Sequence, residues 1–319
     1  MKYGYYPGCS LEKNASAYHE SAMAVCAPLD IQLQEVDDWN CCGATEYFSI
    51  DLLPAFALVG RNLAQAARNK QSNQLVAPCS ACFLNLKKTD RYMADSPALA
   101  EKVNQCLAAG DLAYEPGSLR IRHLLEIMVD DIGFKTIGEK VTRPLFGLRV
   151  APYYGCMTVR PDLGKSFDNP EYPQGLDKLM KTLGAEVIDF PLKAHCCGGH
   201  MTQISEEVAM ELIRRLLKNA AENNADIMAT LCPMCQLNMD AYQEAVNKRF
   251  GTDYHIPILY FTQLMGLALG LPTTKLGFGK EFIKAEPILK KIRKEAPRKR
   301  RKKRLSKQAL PVPSMAEED

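Results

Sequence analysis

The feature that most constrains this chain is a pattern of five cysteines that occurs twice. Each copy has a single cysteine, then a Cys-Cys-Gly triplet, then a C-x-x-C segment. The members are Cys9, Cys41, Cys42, Cys79 and Cys82 in the first set, and Cys156, Cys196, Cys197, Cys232 and Cys235 in the second set. Thiols that recur in one order at similar spacing predict two metal centres, one in each half of the chain, and hence redox chemistry.

The surroundings of the cysteines also repeat, which indicates an internal duplication. Residues 5–9 read Tyr-Tyr-Pro-Gly-Cys and residues 152–156 read Pro-Tyr-Tyr-Gly-Cys. The pattern predicts three strands in each half, with helices between them. The predicted strands are 2–6, 31–36 and 74–77, then 148–153, 185–190 and 226–231. A further strand and helix are predicted over 256–271.

Alternation of strands and helices predicts an α/β fold with mostly parallel sheets. We expect two duplicated domains related by a pseudo-twofold axis, over residues 1–145 and 146–275. The first includes a helical linker over 95–141. Residues 276–319 are predicted to form a disordered basic tail, since seven consecutive Lys and Arg residues occupy 298–304. The cysteines follow predicted strands, and ligands of such sheets bind beyond the carboxyl ends of the strands.

The remaining composition limits the setting in which the protein works. The chain of 319 residues has 40 Lys and Arg against 37 Asp and Glu. It has no apolar run long enough to span a membrane, and its first residues lack the apolar stretch of a signal peptide. We therefore predict a cytoplasmic protein without a transmembrane segment. Thiols stay reduced in the cytoplasm, which favours metal binding over disulfides.

Iron and zinc are the two metals that suit such thiols. Thiolates are the usual protein ligands of iron–sulfur clusters. A structural zinc site takes four ligands, whereas each set offers five thiols. Iron–sulfur clusters are therefore the favoured cofactor, and zinc at one site is the alternative.

At these residues the chain resembles the cysteine-rich CCG domain family, and within it the B subunits of heterodisulfide reductases. The resemblance covers roughly residues 1–270 and includes both complete motifs. It implies two CCG-type domains, each binding one noncubane [4Fe-4S] cluster through all five cysteines of its set. It also implies an oxidoreductase that acts on a sulfur group, reducing or reversibly forming a disulfide such as CoM-S-S-CoB.

Partners follow from what the sequence lacks. The chain has no glycine-rich dinucleotide motif and no ferredoxin cysteine motif, so it needs an electron donor. The resemblance implies two partners in the same complex, a ferredoxin-like C subunit and a flavin-containing A subunit. A small disulfide or thiol is the expected substrate. The basic segment 298–304 has no interleaved aromatic residues, which argues against a nucleic acid that stacks its bases on the protein.

Several other residues are weaker candidates. His195, which precedes the second Cys-Cys pair, is predicted to donate a proton, and His200 is a second candidate. Lys193 and Arg160 are candidates for attracting an anionic substrate, although a solvated surface position is the ordinary interpretation. Cys26 and Cys106 lie outside both sets and are expected to be buried core thiols.

Two other functions remain open at this point. In the first, the chain is an electron-transfer subunit of another oxidoreductase complex, in sulfur metabolism or electron bifurcation, with no disulfide chemistry of its own. Alternatively, it is a zinc-stabilised interaction protein that binds nucleic acid through its basic tail. Metal analysis distinguishes the second of these from the iron–sulfur hypotheses.

Overall fold

Two four-stranded parallel sheets form the centre of the molecule. The computed structural model describes residues 1–44, 46–68, 72–163 and 168–295. The first sheet has the order β2-β1-β3-β4 and the second has the order β6-β5-β7-β8. The strands are β1 Lys2–Tyr5, β2 Gln32–Glu35, β3 Gln74–Ala77, β4 Arg120–His123, β5 Arg149–Tyr153, β6 Glu186–Val187, β7 Ile227–Thr230 and β8 Ile258–Tyr260. Identical strand orders confirm the predicted duplication and the α/β class.

The strand order creates the same crevice in each sheet. After β1 the chain crosses to the edge strand β2, and it then returns to pair β3 on the other side of β1, with Gly4 opposite Leu75. Strand β5 has the same place between β6 and β7, with Val150 opposite Ile227. Where the direction of winding reverses, the loops after the two central strands separate and leave a ligand-binding crevice.

Helices cover the sheets and begin where the cysteine loops end. The longest helices of each half present an apolar stripe to its sheet, with Val59 and Leu63 buried in one and Ile213 and Leu217 in the other. The α-helices are α1 Cys9–Glu12, α2 Ser16–Cys26, α3 Glu46–Ile50, α4 Leu52–Arg68, α5 Ser80–Asp95, α6 Pro97–Ala108, α7 Leu124–Glu126, α8 Gly133–Glu139, α9 Gly175–Thr182, α10 Met201–Ile204, α11 Glu206–Glu222, α12 Pro233–Ala241, α13 Gln243–Phe250, α14 Phe261–Ala268 and α15 Glu286–Leu289. Short 3₁₀ segments occupy Ala27–Leu29 and Thr273–Lys275, and a π-helix occupies Ile127–Ile132.

The expected helical linker over 95–141 is wrong in one respect, because it contains the fourth strand of the first sheet. Strand β4 pairs with β3 along its whole length. Its sequence Arg-Ile-Arg-His does not resemble a buried strand, yet Arg122 is almost fully buried. The Arg122 guanidinium contacts Glu126 Oε1 at 2.7 Å and Asp131 Oδ2 at 2.5 Å. These ion pairs allow a charged residue in a core strand, which a hydrophobic pattern does not reveal.

The two halves pack directly against each other through α2 and α14. The rings of Tyr18 and Tyr260 stack with centroids 4.3 Å apart and an interplanar angle of 8°. Beside them, the hydroxyls of Ser21 and Thr262 form a buried hydrogen bond of 2.6 Å. A helix of the first half is therefore fixed against a helix of the second half by apolar and polar contacts.

The segment predicted as tail has two parts. Residues 276–295 are described, and they pack back on the body: Leu276 and Ala285 are buried, and the Arg293 amide donates to Phe146 O at 2.7 Å. Residues 296–319, including the basic segment 298–304, lie outside the described residues. The predicted domain boundaries at 145 and 275 remain a prediction, and each sheet lies within one predicted domain.

Replacing Arg122 by methionine should lower the free energy of unfolding by about 3 kcal/mol, because Glu126 and Asp131 would lose their buried cation. Burial alone raises the pKa of Asp131, but hydrogen bonds from Arg122 and Tyr3 lower it below its ordinary value. That stabilisation exists above the unfolded-state pKa of about 3.9 and is lost as the pH falls through the folded-state pKa. Urea denaturation should therefore show that the difference in the free energy of unfolding between Arg122→Met and wild type becomes smaller at acid pH.

The matched control is Arg120→Met, since the mostly exposed Arg120 pairs with the same Glu126 at 3.4 Å. Its loss should cost less than about 1 kcal/mol. Equal losses for both variants would contradict a special role for the buried guanidinium.

Candidate metal centre

Each cysteine set is assembled from the loops that follow three strands of one sheet. In the first half, Cys9 follows β1, the Cys41-Cys42 pair follows β2, and Cys79 precedes α5 at the end of β3. The second half repeats this arrangement after β5, β6 and β7. Because parallel strands end at one edge of a sheet, cysteines distant in sequence meet there.

All five thiols of the first set lie in one continuous series of neighbours. The sulfur atoms of Cys9 and Cys41 are 3.4 Å apart, and those of Cys42 and Cys82 are 3.3 Å apart. Cys41 and Cys42 also lie near enough to shift each other's thiol pKa, and so do Cys79 and Cys82. The structure therefore brings together every cysteine that the sequence assigned to this set.

The second set has the same internal contacts. The sulfur atoms of Cys197 and Cys235 are 3.4 Å apart. Cys196 also lies near enough to Cys156 and Cys197, and Cys232 to Cys235, for these thiols to shift one another's pKa. The set is thus as complete as the first.

The two sets meet where the C-x-x-C segments face each other. The thiols of Cys79 and Cys232 lie close enough across the boundary between the halves for each to shift the pKa of the other. Beside them, the Ser80 hydroxyl is 2.7 Å from the Thr158 hydroxyl, which belongs to the other half. Ten thiols therefore form one series through the molecule, with the boundary at its middle.

Glycines allow the backbone to approach these sulfur atoms. Gly8 has a φ of +76°, and a Cβ placed on it would lie 2.7 Å from Cys82 Sγ. Gly155 has a φ of +70°, and its Cβ would lie 3.1 Å from Cys235 Sγ. A side chain at either position would therefore both strain the backbone and displace a thiol.

The electrostatics favour a thiolate at the first cysteine of each Cys-Cys pair. Contact with Cys42 is the main cause that lowers the pKa of Cys41 to about 2, and contact with Cys156 likewise lowers the pKa of Cys196 to about 2. The backbone N–H two residues further on donates to each of these sulfur atoms at 3.4 Å. Since the thiolate is the form that binds metal, each set has at least one cysteine in that form, whereas neighbouring thiols and burial raise the pKa of others such as Cys9 and Cys156.

A small cavity adjoins the second set. Its volume is about 40 Å³, and all five cysteines of that set line it together with Ser80 and Ala81 from the first half. Among the residues that the structure describes, no three His, Cys, Asp or Glu side chains are arranged to hold a single metal ion.

Buried tyrosines hold the residue before each Cys-Cys pair. The Tyr6 hydroxyl donates to Asn40 O at 2.6 Å, and the Tyr153 hydroxyl donates to His195 O at 2.8 Å. Sequence reasoning used these tyrosines only as markers of the duplication. Their recurrence beside Cys9 and Cys156 was the signal that could have identified them as part of the site.

Lys193 is buried, so the expectation of a solvated surface position for it is wrong. Its ammonium contacts Asp177 Oδ1 at 2.5 Å. The other oxygen of Asp177 accepts from the Tyr154 hydroxyl at 2.8 Å, and the carbonyl of Lys193 accepts from the amides of Tyr154 and Gly155. Lys193 therefore ties the loop of Cys156 to the loop of Cys196, and its charge is already neutralised.

The histidines near the second set differ in their surroundings. His195 is exposed, and its backbone amide donates to Leu192 O at 3.0 Å. His200 is half-buried and contacts Glu46, so it joins the two Cys-Cys-Gly loops across the boundary. Arg160 is half-exposed and donates to Ala194 O. Only His195 has the exposure that a proton donor to a bound molecule needs.

A buried histidine escaped the sequence analysis. His123 ends β4, and its Nδ1 accepts from the Leu125 amide at 3.0 Å. Burial lowers the pKa of His123 to about 4, so its ring is neutral at neutral pH.

Of the two extra cysteines, Cys26 is buried as expected, but Cys106 is exposed on α6, which contradicts the expectation for it. Helix α6 covers the surface, and only one of its faces is packed.

Comparison with known proteins identifies a family and several relatives of this chain. The sequence profile of the family described as "CCG: Cysteine-rich domain" matches residues 3–87 and 150–240. Each match contains one complete cysteine set. The chain is 32% identical to the "8-methylmenaquinol:fumarate reductase membrane anchor subunit" of Wolinella succinogenes, over 90% of this chain and 99% of that protein.

Two archaeal proteins are also similar over most of their length. The B subunit of the ferredoxin:CoB-CoM heterodisulfide reductase of Methanosarcina mazei is 29% identical, over 91% of this chain and 97% of that protein. A protein of Archaeoglobus profundus, named as similar to the B subunit of heterodisulfide reductase, is 27% identical, over 86% of this chain and 93% of that protein. Among solved structures, a hypothetical protein from Helicobacter pylori has a TM-score of 0.70 at 14% identity, and it shows the fold alone. The alignment with it covers 89% of this chain and 52% of that chain.

One further finding bears on where the protein works. No helix among the described residues has both the length and the apolar character needed to cross a bilayer.

Replacing Gly8 by alanine should reduce the metal bound per chain by roughly half, because the new Cβ would meet the sulfur of Cys82 while leaving the second set intact. Elemental analysis of the purified protein measures this. Gly117→Ala is the matched control: Gly117 has a similar φ of +80°, but its Cβ would meet nothing within 4 Å. Full metal content in Gly8→Ala, or an equal loss in Gly117→Ala, would contradict this role of Gly8.

Proposed function

The chain belongs to the cysteine-rich CCG domain family, and from this membership we propose that it is the iron–sulfur subunit of a heterodisulfide reductase-like complex. It reduces, or reversibly forms, a disulfide such as CoM-S-S-CoB. The ten cysteines hold two noncubane [4Fe-4S] clusters, five cysteines to each. The observation that carries this proposal is the single series of ten neighbouring thiols with Cys79 and Cys232 at its middle.

The residues present suit this cofactor in kind and in number. When bound, iron–sulfur clusters supply single electrons. Reduction of one disulfide consumes two electrons and two protons and gives two thiols. Two thiol sets that meet at one boundary place two such electron sources beside the same substrate. The buried Lys193–Asp177 pair holds the loops of the second set in position for it.

Electrons reach this chain from partner proteins of the complex. We propose a ferredoxin-like C subunit that delivers them and a flavin-containing A subunit behind it. The Methanosarcina mazei relative is named as the B subunit of a ferredoxin:CoB-CoM heterodisulfide reductase, which supports a complex of this kind. The cytoplasm is the proposed compartment, because thiols stay reduced there.

A second candidate is an electron-transfer subunit without disulfide chemistry of its own. The Wolinella succinogenes relative favours it, since that protein is named as a subunit of a fumarate reductase and is 32% identical over nearly its whole length. In that case the same two clusters pass electrons to another protein of the complex, which carries out the reaction.

The test begins with protein purified without oxygen. We expect about eight iron atoms per chain, as two four-iron clusters require, and oxidation of a reduced viologen dye when a CoM-S-S-CoB heterodisulfide is added. Cys106→Ser is the control that should retain all iron, and Cys232→Ser should lose iron. Iron-free protein would overturn the metal centre. Iron-loaded protein that cleaves no disulfide would establish the electron-transfer alternative instead.

We also propose that His195 gives a proton to a departing thiolate. It is exposed beside Cys196, and Tyr153 fixes its backbone, so the ring is presented next to the second set. His195→Gln should slow disulfide cleavage about 100-fold without loss of iron, as removal of a general acid does. The exposed His255 serves as control, and His255→Gln should leave the rate unchanged. An undiminished rate in His195→Gln would exclude His195 as the donor.

A further inference from the structure

Each C-x-x-C segment continues to an asparagine three residues later. The first half has Asn85 after Cys82, and the second has Asn238 after Cys235. Residues three apart in a helix lie on the same face, so each asparagine lies on the face of α5 or α12 that carries the cysteine. Both asparagines are buried, which requires that their amides be hydrogen-bonded.

One contact is common to both halves. Asn85 Nδ2 donates to Ala44 O at 2.6 Å, and Asn238 Nδ2 donates to Gly199 O at 2.6 Å. Ala44 and Gly199 lie two residues after the second cysteine of each pair, and both have left-handed φ values, +41° and +47°. Each amide therefore holds the turn after the Cys-Cys pair against the C-x-x-C helix, and in the first half that turn includes Ala44 in a left-handed conformation that a non-glycine residue rarely adopts.

The second contact differs between the halves. Asn85 Nδ2 donates to the carbonyl of Cys42 at 3.0 Å. Asn238 Nδ2 instead lies 3.8 Å from the sulfur of Cys197. The backbone N–H bonds from Gly43 and Gly198 to the preceding sulfur atoms are equal in length in the two sets. The Gly199 amide also donates to the sulfur of Cys197, at 3.5 Å. The side-chain amide at Cys197 is a donor for which Asn85 provides no counterpart at Cys42.

We propose that Asn238 raises the reduction potential of the cluster at the second set above that of the first. This inference rests on the proposed function, which places a cluster at each set. Reduction adds negative charge that the ligating sulfurs share, and an N–H donor at a sulfur stabilises the more negative state. Asn85 positions its loop in the same way but gives no N–H to a sulfur.

The difference sets a direction for the electrons. An electron that enters the pair of centres rests on the cluster with the higher potential, which is the one held by Cys197. His195 is exposed beside that same set. Asn238 is thus a positioning residue. It makes electrons accumulate at the second set, beside which His195 supplies the proton, so both lie on one side of the boundary between the halves.

The test compares Asn238→Leu with Asn85→Leu in full-length protein with both clusters present. Leucine has about the size of asparagine and removes the N–H donor. Redox titration followed by electron paramagnetic resonance gives the midpoint potential of each cluster. We expect Asn238→Leu to make reduction of one cluster about tenfold less favourable, which is about 59 mV for one electron. Asn85→Leu should leave both midpoints within a small fraction of that shift.

Equal shifts in the two variants, or no shift in Asn238→Leu, would overturn the proposal. Should Asn238→Leu lose its iron, wild-type protein with asparagine labelled by ¹⁵N in the side-chain amide decides the matter. Pulsed electron paramagnetic resonance should then detect amide nitrogen coupled to one of the two clusters, and equal coupling at both or at neither would overturn the proposal. Wild-type protein without iron would instead mean that the proposed function has failed.

Discussion

The parallel pairing of β1 with β3, and of β5 with β7, is the constraint on which the rest of the structure depends. It aligns Tyr5 with Val76 and Tyr153 with Thr230, so the two central strands of each sheet end side by side. The loops that leave them carry the single cysteine and the C-x-x-C segment. The edge strands β2 and β6 direct the Cys-Cys pairs to the same place. The cysteines of each set are far apart in the sequence, and without this alignment they would not meet.

The same scaffold is stabilised by different polar contacts in its two halves. In the first half, Asn62 holds the loop before Cys41, since it accepts from the Asn40 amide at 2.8 Å and donates to the Asn40 carbonyl at 2.9 Å. In the second half, the charged pair of Lys193 and Asp177 does the corresponding work. Duplication therefore preserved the backbone geometry around the thiols, while the surrounding side chains diverged.

Much of this arrangement could be predicted from the sequence, because it depends on short patterns. The two cysteine sets, the strands that precede them and the duplication all follow from residue order and periodicity. Strand β4 could not be predicted, since its arginine is buried only through partners on a later helical segment. Lys193 was misjudged for the same reason: its partner Asp177 lies on α9, and a charged residue without a visible partner suggests solvent. The asparagines and tyrosines of the site required a residue-by-residue comparison of the two halves.

The meeting of the two cysteine sets at the boundary between the halves has a consequence for how such a molecule can arise and mature. Ser80 and Ala81 of the first half line the cavity at the second set, so a lone half would leave that cavity open on one side. An ancestor with a single copy would have had to associate as a homodimer to enclose an equivalent space. In the fused chain the docking of α2 on α14 replaces that association, so the cavity is enclosed only once the two halves have packed together.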